Sequence, residues 1–468
     1  MVARTLAEAG YRILLIEAGP DVPTDRTPAN YLHLFGSSDD WGFGTVPQVN
    51  LANRQLRYPR GRGPGGSTRI NAMIWYPPGA EDLRNLSAAG GAAWSHVSLT
   101  RTLDDVSSWV QPESPRYLTD ATTRFLAAAI SAGVAMSPFA RMTRDGFRRT
   151  AADILDESSA VRSITKWTAE VKKIRFDRSH AIGVDVVPAG CSAVENIEAN
   201  RAVILCAGAI HSPSLLIRSG IGPKESLLDL GIELIQEHGE VGRNLSDHLV
   251  MPVIYSMDPK YQFSSKPTGD ELLSNIAEAG GTKQRGQASL LQVHMTPTHY
   301  LTYPSDSAPA ALTIGINLCQ PHSRGSVRVT KSDRAHEWGL QIDPGFLMDT
   351  RDADAMLEGI QWARMIAGQA SLLSVIRDEL IPGAKRQSTD AIMRSIERFA
   401  QTLYHPVGTC RMGLGKDAVV DEYLAVRGVS GLHVIDGSVL PTIPSVNPNA
   451  TIMMLAMHGA ASLCERYG

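Results

Sequence analysis

Ile13-Leu14-Leu15-Ile16, entered through Arg12, is a continuous apolar run that stops abruptly at Glu17 and continues into Ala18-Gly19-Pro20. Successive side chains of a strand face opposite sides, so a strand apolar at every position has to be covered on both faces, the situation inside a parallel sheet. Upstream, Ala3, Leu6 and Ala7 share one helical face and Gly10 ends the run as a helix C-cap would. Helix, then doubly buried strand, commits the start of the chain to an α/β architecture.

An acid at the tip of such a strand stands where a Rossmann fold binds the ribose hydroxyls of an adenine dinucleotide, about 20 residues after a glycine fingerprint. No G-x-G-x-x-G precedes Glu17, and counting back runs off the front of the sequence. The expectation is therefore a chain that lacks its first nucleotide-binding strand and glycine turn, with an unpaired sheet edge where that strand would lie. Taken alone, the unit also fits any helix–strand pair with an acid in the next loop.

Composition narrows the function classes. With 468 residues, 43% hydrophobic and 20% charged, the chain can bury a large core and is not disordered. Its 45 basic and 48 acidic residues leave a net charge of −3, which gives nucleic acid no electrostatic footing. The apolar runs Thr451 to Met457 and Ala202 to Ala209 fall far short of the roughly 20 residues that a membrane span needs. Five scattered cysteines (Cys191, Cys206, Cys319, Cys410, Cys464) without C-x-x-C spacing suggest thiols in a reducing compartment, no zinc site, and a cytoplasmic location.

Further along, Val171 to Phe176, Ala181 to Val187 and Ala202 to Leu205 read as strands, the last running into Cys206-Ala207-Gly208. Ser212-Pro213 reads as the opening of a helix that Ser219-Gly220 closes. Leu312 to Leu318 and Ser326 to Val329 suggest an antiparallel sheet, while Met356 to Ile366 and Ile392 to Leu403 carry apolar residues at helical spacing. Glu81 to Thr150 is poorly patterned and is expected to be a connecting or lid-like segment.

Two regions carry chemistry. Arg60 to Tyr76 (RGRGPGGSTRINAMIWY) has glycines that let backbone lie flush against a phosphate or ring, although a glycine loop by itself is usually a structural turn. Near the end come Tyr404-His405-Pro406-Val407-Gly408-Thr409-Cys410, then Leu432 to Ile435 leading to Asp436-Gly437-Ser438, then Asn447-Pro448-Asn449 opening an apolar helix that ends near Tyr467. Polar groups at a helix N-terminus suit an anion or a reduced ring system. His405 on its own also fits a core histidine bonded to a carbonyl.

In combination and in order, the Glu17-Ala18-Gly19-Pro20 strand end, Gly65-Gly66-Ser67-Thr68 with Asn71, Gly208-Ala209-Ile210-His211-Ser212-Pro213, Val241 to His248, Ser323 to Val327, the His405 segment, Asp436-Gly437-Ser438 and Asn447-Pro448-Asn449 resemble the glucose–methanol–choline (GMC) oxidoreductase family, in its choline dehydrogenase/alcohol dehydrogenase branch. The resemblance implies a Rossmann-like FAD-binding domain assembled from residues 1–80, 160–250 and 404–468, a connecting segment over 81–159, and an α+β substrate domain on an antiparallel sheet over 251–403. It implies FAD held by Glu17, Arg60, Gly61, Gly65, Gly66, Ser67, Asn71, Ala72, Ala207, Gly208, Asp436, Gly437 and Asn449. Relatives that carry flavin covalently do so on a histidine just before the asparagine; here that position is Ile70, which implies non-covalent FAD.

The activity implied is oxidation of a small-molecule alcohol to an aldehyde or ketone, with hydride passing to the flavin and oxygen or a quinone reoxidising it. His405 would act as the base and Asn447 would orient the oxygen. A flavin-dependent cyanohydrin lyase and an inactive truncated homologue stand as alternatives, since one fold hosts several chemistries. Arg69 and His211 are bulkier than such segments lead one to expect.

Overall fold

The strand Ile13–Glu17 pairs in parallel with Ile164–Asp177, from Ile13 opposite Ile164 to Glu17 opposite Thr168. The computed structural model in which this is seen describes residues 1–115, 118, 120–134, 136–258, 277–280, 291–302, 309–332 and 338–467. Ile164–Asp177 turns back through His180–Pro188, which pairs with Glu195–Glu198, so the sheet is mixed. Ile13–Glu17 therefore sits at an edge and not inside a parallel sheet as its composition implies. Its other side meets no strand among the described residues, and Leu14 is left 42% exposed. Val203–Leu205 pairs separately, in parallel, with Leu432–Val434. The opening helix, Val2–Glu8, buries Leu6 and Ala7 and gives way to Gly10 at φ +91°, as its sequence predicts.

The helix after Val203–Leu205 departs from expectation. It runs Gly208–Arg218, so Ser212 is not its cap and Pro213 lies inside it. Tertiary groups make the earlier start possible: the Asp436 carboxylate accepts from the Gly208 N–H at 2.8 Å, and Ser212 Oγ accepts from the Ala207 N–H at 3.2 Å. A proline in a helix leaves the carbonyl four residues back without its donor. Here that carbonyl, Ala209 O, accepts from Thr409 Oγ1 at 2.6 Å.

The second body is an antiparallel sheet. Leu249–Met257 pairs with Ala311–Leu318, which pairs with Leu291–Thr296; Ala277–Gly280 and Met136–Pro138 extend one side, and Ile376–Ile381 and Gln401–Thr402 flank Leu249–Met257 on the other. Helix Thr350–Ala367 lies on it through Gly359, where a Cβ would come within 2.2 Å of Ile316 Cγ2. The predicted helix over Ile392 to Leu403 ends earlier: it spans Thr389–Phe399, and the chain then goes extended to pair with Leu249–Met257.

The segment read as a loose connection is largely helical, with helices Ala80–Gly90, His96–Val110 and Asp120–Ser131. Val106 and Val110 pack with Ala450, Met453 and Met457 of the last helix, whereas Phe125 and Ala128 join the core of the antiparallel sheet. Its helical period was obscured because two cores share its apolar residues. The last helix, Asn449–Tyr467, is buried along most of its length, as expected.

Candidate active site

Two loops are zipped together so that two histidines meet. Ser246 and Val407 exchange both backbone hydrogen bonds at 3.0 Å, Gly242 N–H donates to Thr409 O at 2.9 Å, and Leu403 N–H donates to His248 O at 3.0 Å. Tyr404 takes φ +65°, unusual for a residue with a side chain, and Gly408 takes φ +91° with no room for a Cβ against Asn244 O. The Arg60 guanidinium donates to Tyr404 O, and Asp247 Oδ1 accepts the His405 backbone N–H at 2.7 Å. Asp247, buried, also accepts from Thr402 Oγ1 at 2.6 Å, and burial raises its carboxyl pKa.

Within this frame His405 Nδ1 stands 2.9 Å from His248 Nδ1, and His405 Nε2 stands 3.5 Å from Asn447 Nδ2. His248 Nε2 is 2.9 Å from Cys319 O and 3.0 Å from Pro444 O. Burial holds the His405 imidazole well below its usual pKa, aided by the neighbouring His248, Arg60 and His294. Burial takes His248 down to about 4, and burial with His248 takes His294 to about 3. Asn447 Oδ1 is buried without a protein partner. Asp82, on helix Ala80–Gly90, accepts from Ser445 N–H and Oγ at 2.8 and 2.9 Å and so holds the loop that delivers Pro444 and Asn447.

The expected cofactor residues fall into two groups. Glu17 Oε1 accepts from the N–H groups of Gly19 at 2.8 Å and Gly63 at 3.0 Å, tying the first strand to the glycine loop. Gly61 packs so closely that a Cβ would meet Gly66 O at 2.2 Å; its N–H donates to Ser67 Oγ at 3.2 Å. Gly65 and Gly66, both at positive φ, start the turn Gly66–Arg69, and a Cβ on Gly66 would meet nothing within 4 Å. Asn71 Oδ1 accepts from Met73 N–H and Arg148 Nη1, both at 3.0 Å, which leaves only its NH₂ to donate elsewhere. Ala72 packs beside Met73 and Phe139.

The second group surrounds Asp436. Its Oδ2 accepts from Gly208 N–H and from Ser212 Oγ at 2.5 Å, its Oδ1 from Ser438 N–H at 2.8 Å, and Gly437 packs under Ile452 of the last helix. Asn449 starts that helix, with Nδ2 3.6 Å from Met142 Sδ. The two bulky residues that stood out are explained differently. Arg69 is a buried partner of Asp39 and also donates to Val22 O at 2.9 Å. His211 packs at a tilt against Trp41 and edge-on to Phe43, with ring centroids at 4.5 and 5.2 Å.

His248, Asp247 and Arg60's grip on Tyr404 were missed as parts of the histidine site. The one signal for the first two was the Asp-His pair closing Val241 to His248, just ahead of a buried strand.

Comparison with known proteins agrees with this architecture. Models of the GMC oxidoreductase family match residues 155–250 and 321–456. The chain is 30% identical to an alcohol dehydrogenase [acceptor] of Pseudomonas putida, over 99% of this chain and 93% of that one. It is 30% identical to an oxygen-dependent choline dehydrogenase of Serratia proteamaculans, over 100% and 93%. Among solved structures, a pyridoxine 4-oxidase from Mesorbium loti superposes with a TM-score of 0.87 at 27% identity, covering 98% of this chain and 96% of that one. An Aspergillus oryzae formate oxidase, at 21% identity and TM-score 0.88 over 100% and 96%, shares the fold. The chain belongs to the GMC oxidoreductase family of FAD-dependent enzymes.

Proposed function

We propose that this chain binds FAD without a covalent link and oxidises a small-molecule alcohol to an aldehyde or ketone, with His405 taking the hydroxyl proton and Asn447 orienting the oxygen. The observation that carries this reading is the half-buried pair of His405 Nε2 and Asn447 Nδ2, 3.5 Å apart. An imidazole kept neutral by burial offers a lone pair, and an amide N–H beside it can donate to an oxygen as that oxygen gives up its proton.

The residues fit FAD. A Cβ on Gly66 would meet no protein atom within 4 Å, and Asn447 Oδ1, Ser438 Oγ and Thr451 Oγ1 are each buried without a protein partner. Glu17 would serve the ribose, Gly61 to Asn71 and Gly208 the phosphates and ring, and Asp436 and Gly437 the start of the last helix. Bound FAD supplies the hydride acceptor. Ile70, only 2% exposed and with no nucleophilic atom, supports non-covalent binding.

The test is to load the protein with FAD and add a panel of alcohols without oxygen. Bleaching of the oxidised flavin band by at least one alcohol is expected, and recovery on adding air or a quinone then identifies the acceptor. A flavin that stays oxidised with every alcohol, or no bound flavin, overturns the proposal; a cyanohydrin split without bleaching would instead establish lyase chemistry.

A further inference from the structure

We propose that His248 is a positioning residue that fixes the tautomer of His405, placing the hydrogen on His405 Nδ1 and leaving Nε2 as the base; this rests on the reading of His405 as the proton acceptor.

His248 Nε2 lies 2.9 Å from Cys319 O and 3.0 Å from Pro444 O, and backbone carbonyls can only accept. Nε2 therefore carries the hydrogen and shares it between the two. A neutral imidazole has one N–H, so His248 Nδ1 presents a lone pair. Burial keeps His248 neutral. The atom facing that lone pair at 2.9 Å is His405 Nδ1, which must then be the donor. His405 is neutral for the same reason, so its Nε2 bears no hydrogen and faces the Asn447 amide, a donor, at 3.5 Å.

The opposite tautomer would set two lone pairs against each other at 2.9 Å in a part-buried site. Among the described residues no carboxylate is hydrogen-bonded to the His405 ring: Asp247 accepts instead from the backbone N–H of His405 and from Thr402. The two carbonyls are thus the origin of the polarity, since they come from separate strands and loops and point at one nitrogen. When the alcohol's proton moves to His405 Nε2, the Nδ1–H stays donated to His248, so the imidazolium keeps its orientation and no second transfer is needed.

The test has two readouts. Two-bond ¹H–¹⁵N correlation on histidine-labelled full-length protein reports which nitrogen of each ring is protonated, whether or not any alcohol is oxidised. His405 should show a protonated Nδ1 and a bare Nε2, and His248 the reverse; a protonated Nε2 on His405 overturns the proposal, even if the enzyme proves to be an alcohol oxidiser. The second readout is the rate of flavin reduction. His248→Leu should lower it about 10-fold or more with KM little changed, the size expected from leaving a buried donor unpaired, and His248→Asn, which keeps an acceptor on the Nδ1 side, should restore most of it. A normal rate in His248→Leu, or a slowed one with the His405 tautomer unaltered, removes the positioning role. Should His248→Leu fail to fold, the spectrum of the unmodified protein still decides. A protein that bleaches with no alcohol but shows the stated tautomers refutes the function, and with it the role of Nε2 as base, and keeps the tautomer assignment.

Discussion

Replacing Arg69 by methionine tests whether the glycine loop is held by a buried charge pair. Arg69 Nε donates to Asp39 Oδ1 at 3.0 Å and Nη2 donates to the same oxygen, and the two side chains are only 5% and 10% exposed. The guanidinium also serves Val22 O at 2.9 Å and Pro64 O at 3.4 Å, so it links the loop after the first strand to the glycine loop. Arg69→Met leaves the carboxylate of Asp39 buried with only the Thr24 hydroxyl at 2.9 Å. Stranding one member of a buried pair costs about 3–5 kcal/mol, whereas replacing both by apolar groups of similar volume is often neutral. Arg69→Met should therefore lower the urea midpoint by about 1 M or more for a slope near 3 kcal/mol/M, and Asp39→Leu/Arg69→Met should recover most of that loss. Unfolding is followed by fluorescence with FAD in fixed excess, because ligand shifts apparent stability. A single variant as stable as the parent, or a double variant no better than the single, refutes the reasoning.

The remaining expectations concern the site and its pH response. His405→Ala should slow flavin reduction at least about 10²-fold, and Asn447→Ala should slow it while keeping bound flavin; stopped-flow rates and the flavin:protein ratio separate the two roles. Gly61→Ala should abolish FAD binding, because its Cβ would meet Gly66 O at 2.2 Å, and Gly66→Ala, whose Cβ meets no protein atom within 4 Å but enters the space assigned to FAD, should weaken FAD binding at only a modest cost in stability; flavin content after gel filtration and the urea midpoint decide. Thr409→Val should cost about 1–2 kcal/mol by orphaning Ala209 O, and less in a Pro213→Ala background that restores the helix donor, as a double-mutant cycle in urea would show. His248 and His294 titrate near 4 and 3 when folded and near 6.5 when unfolded, so below 6.5 the unfolded chain binds more protons. Stability should be full above pH 6.5 and fall steadily as pH drops through 6 and 5, by about 1.4 kcal/mol per histidine per unit once well below 6.5; a urea midpoint that stays flat from pH 7 to 5 contradicts this.

Features legible in the sequence were those governed by neighbours along the chain. Ile13 to Glu17, the opening and closing helices, and the strands around Ala181, Leu312 and Ser326 announce themselves through apolar period and end signals, and the structure has each of them. The same holds for the ordered glycine, histidine and asparagine segments, which carried the family. Where prediction failed, a distant group supplied what the local sequence lacked. The helix from Gly208 begins early because Asp436 and Thr409 cap what glycine and proline leave open. The helices of 81–131 were obscured because their apolar faces serve two cores.

His405 and Asn447 could be named as candidates from residue type and position, because a base and an amide are chemistry written in single letters. Which nitrogen of His405 faces Asn447, and which proton it holds, could not. That depends on Cys319 and Pro444 carbonyls converging on His248 from chain positions far from it, and on a backbone zipper that brings residue 248 beside 405. Residue identity determines what a group can donate or accept; only packing decides which partner it is given, because hydrogen bonds act over about 3 Å of space and take no account of distance along the chain.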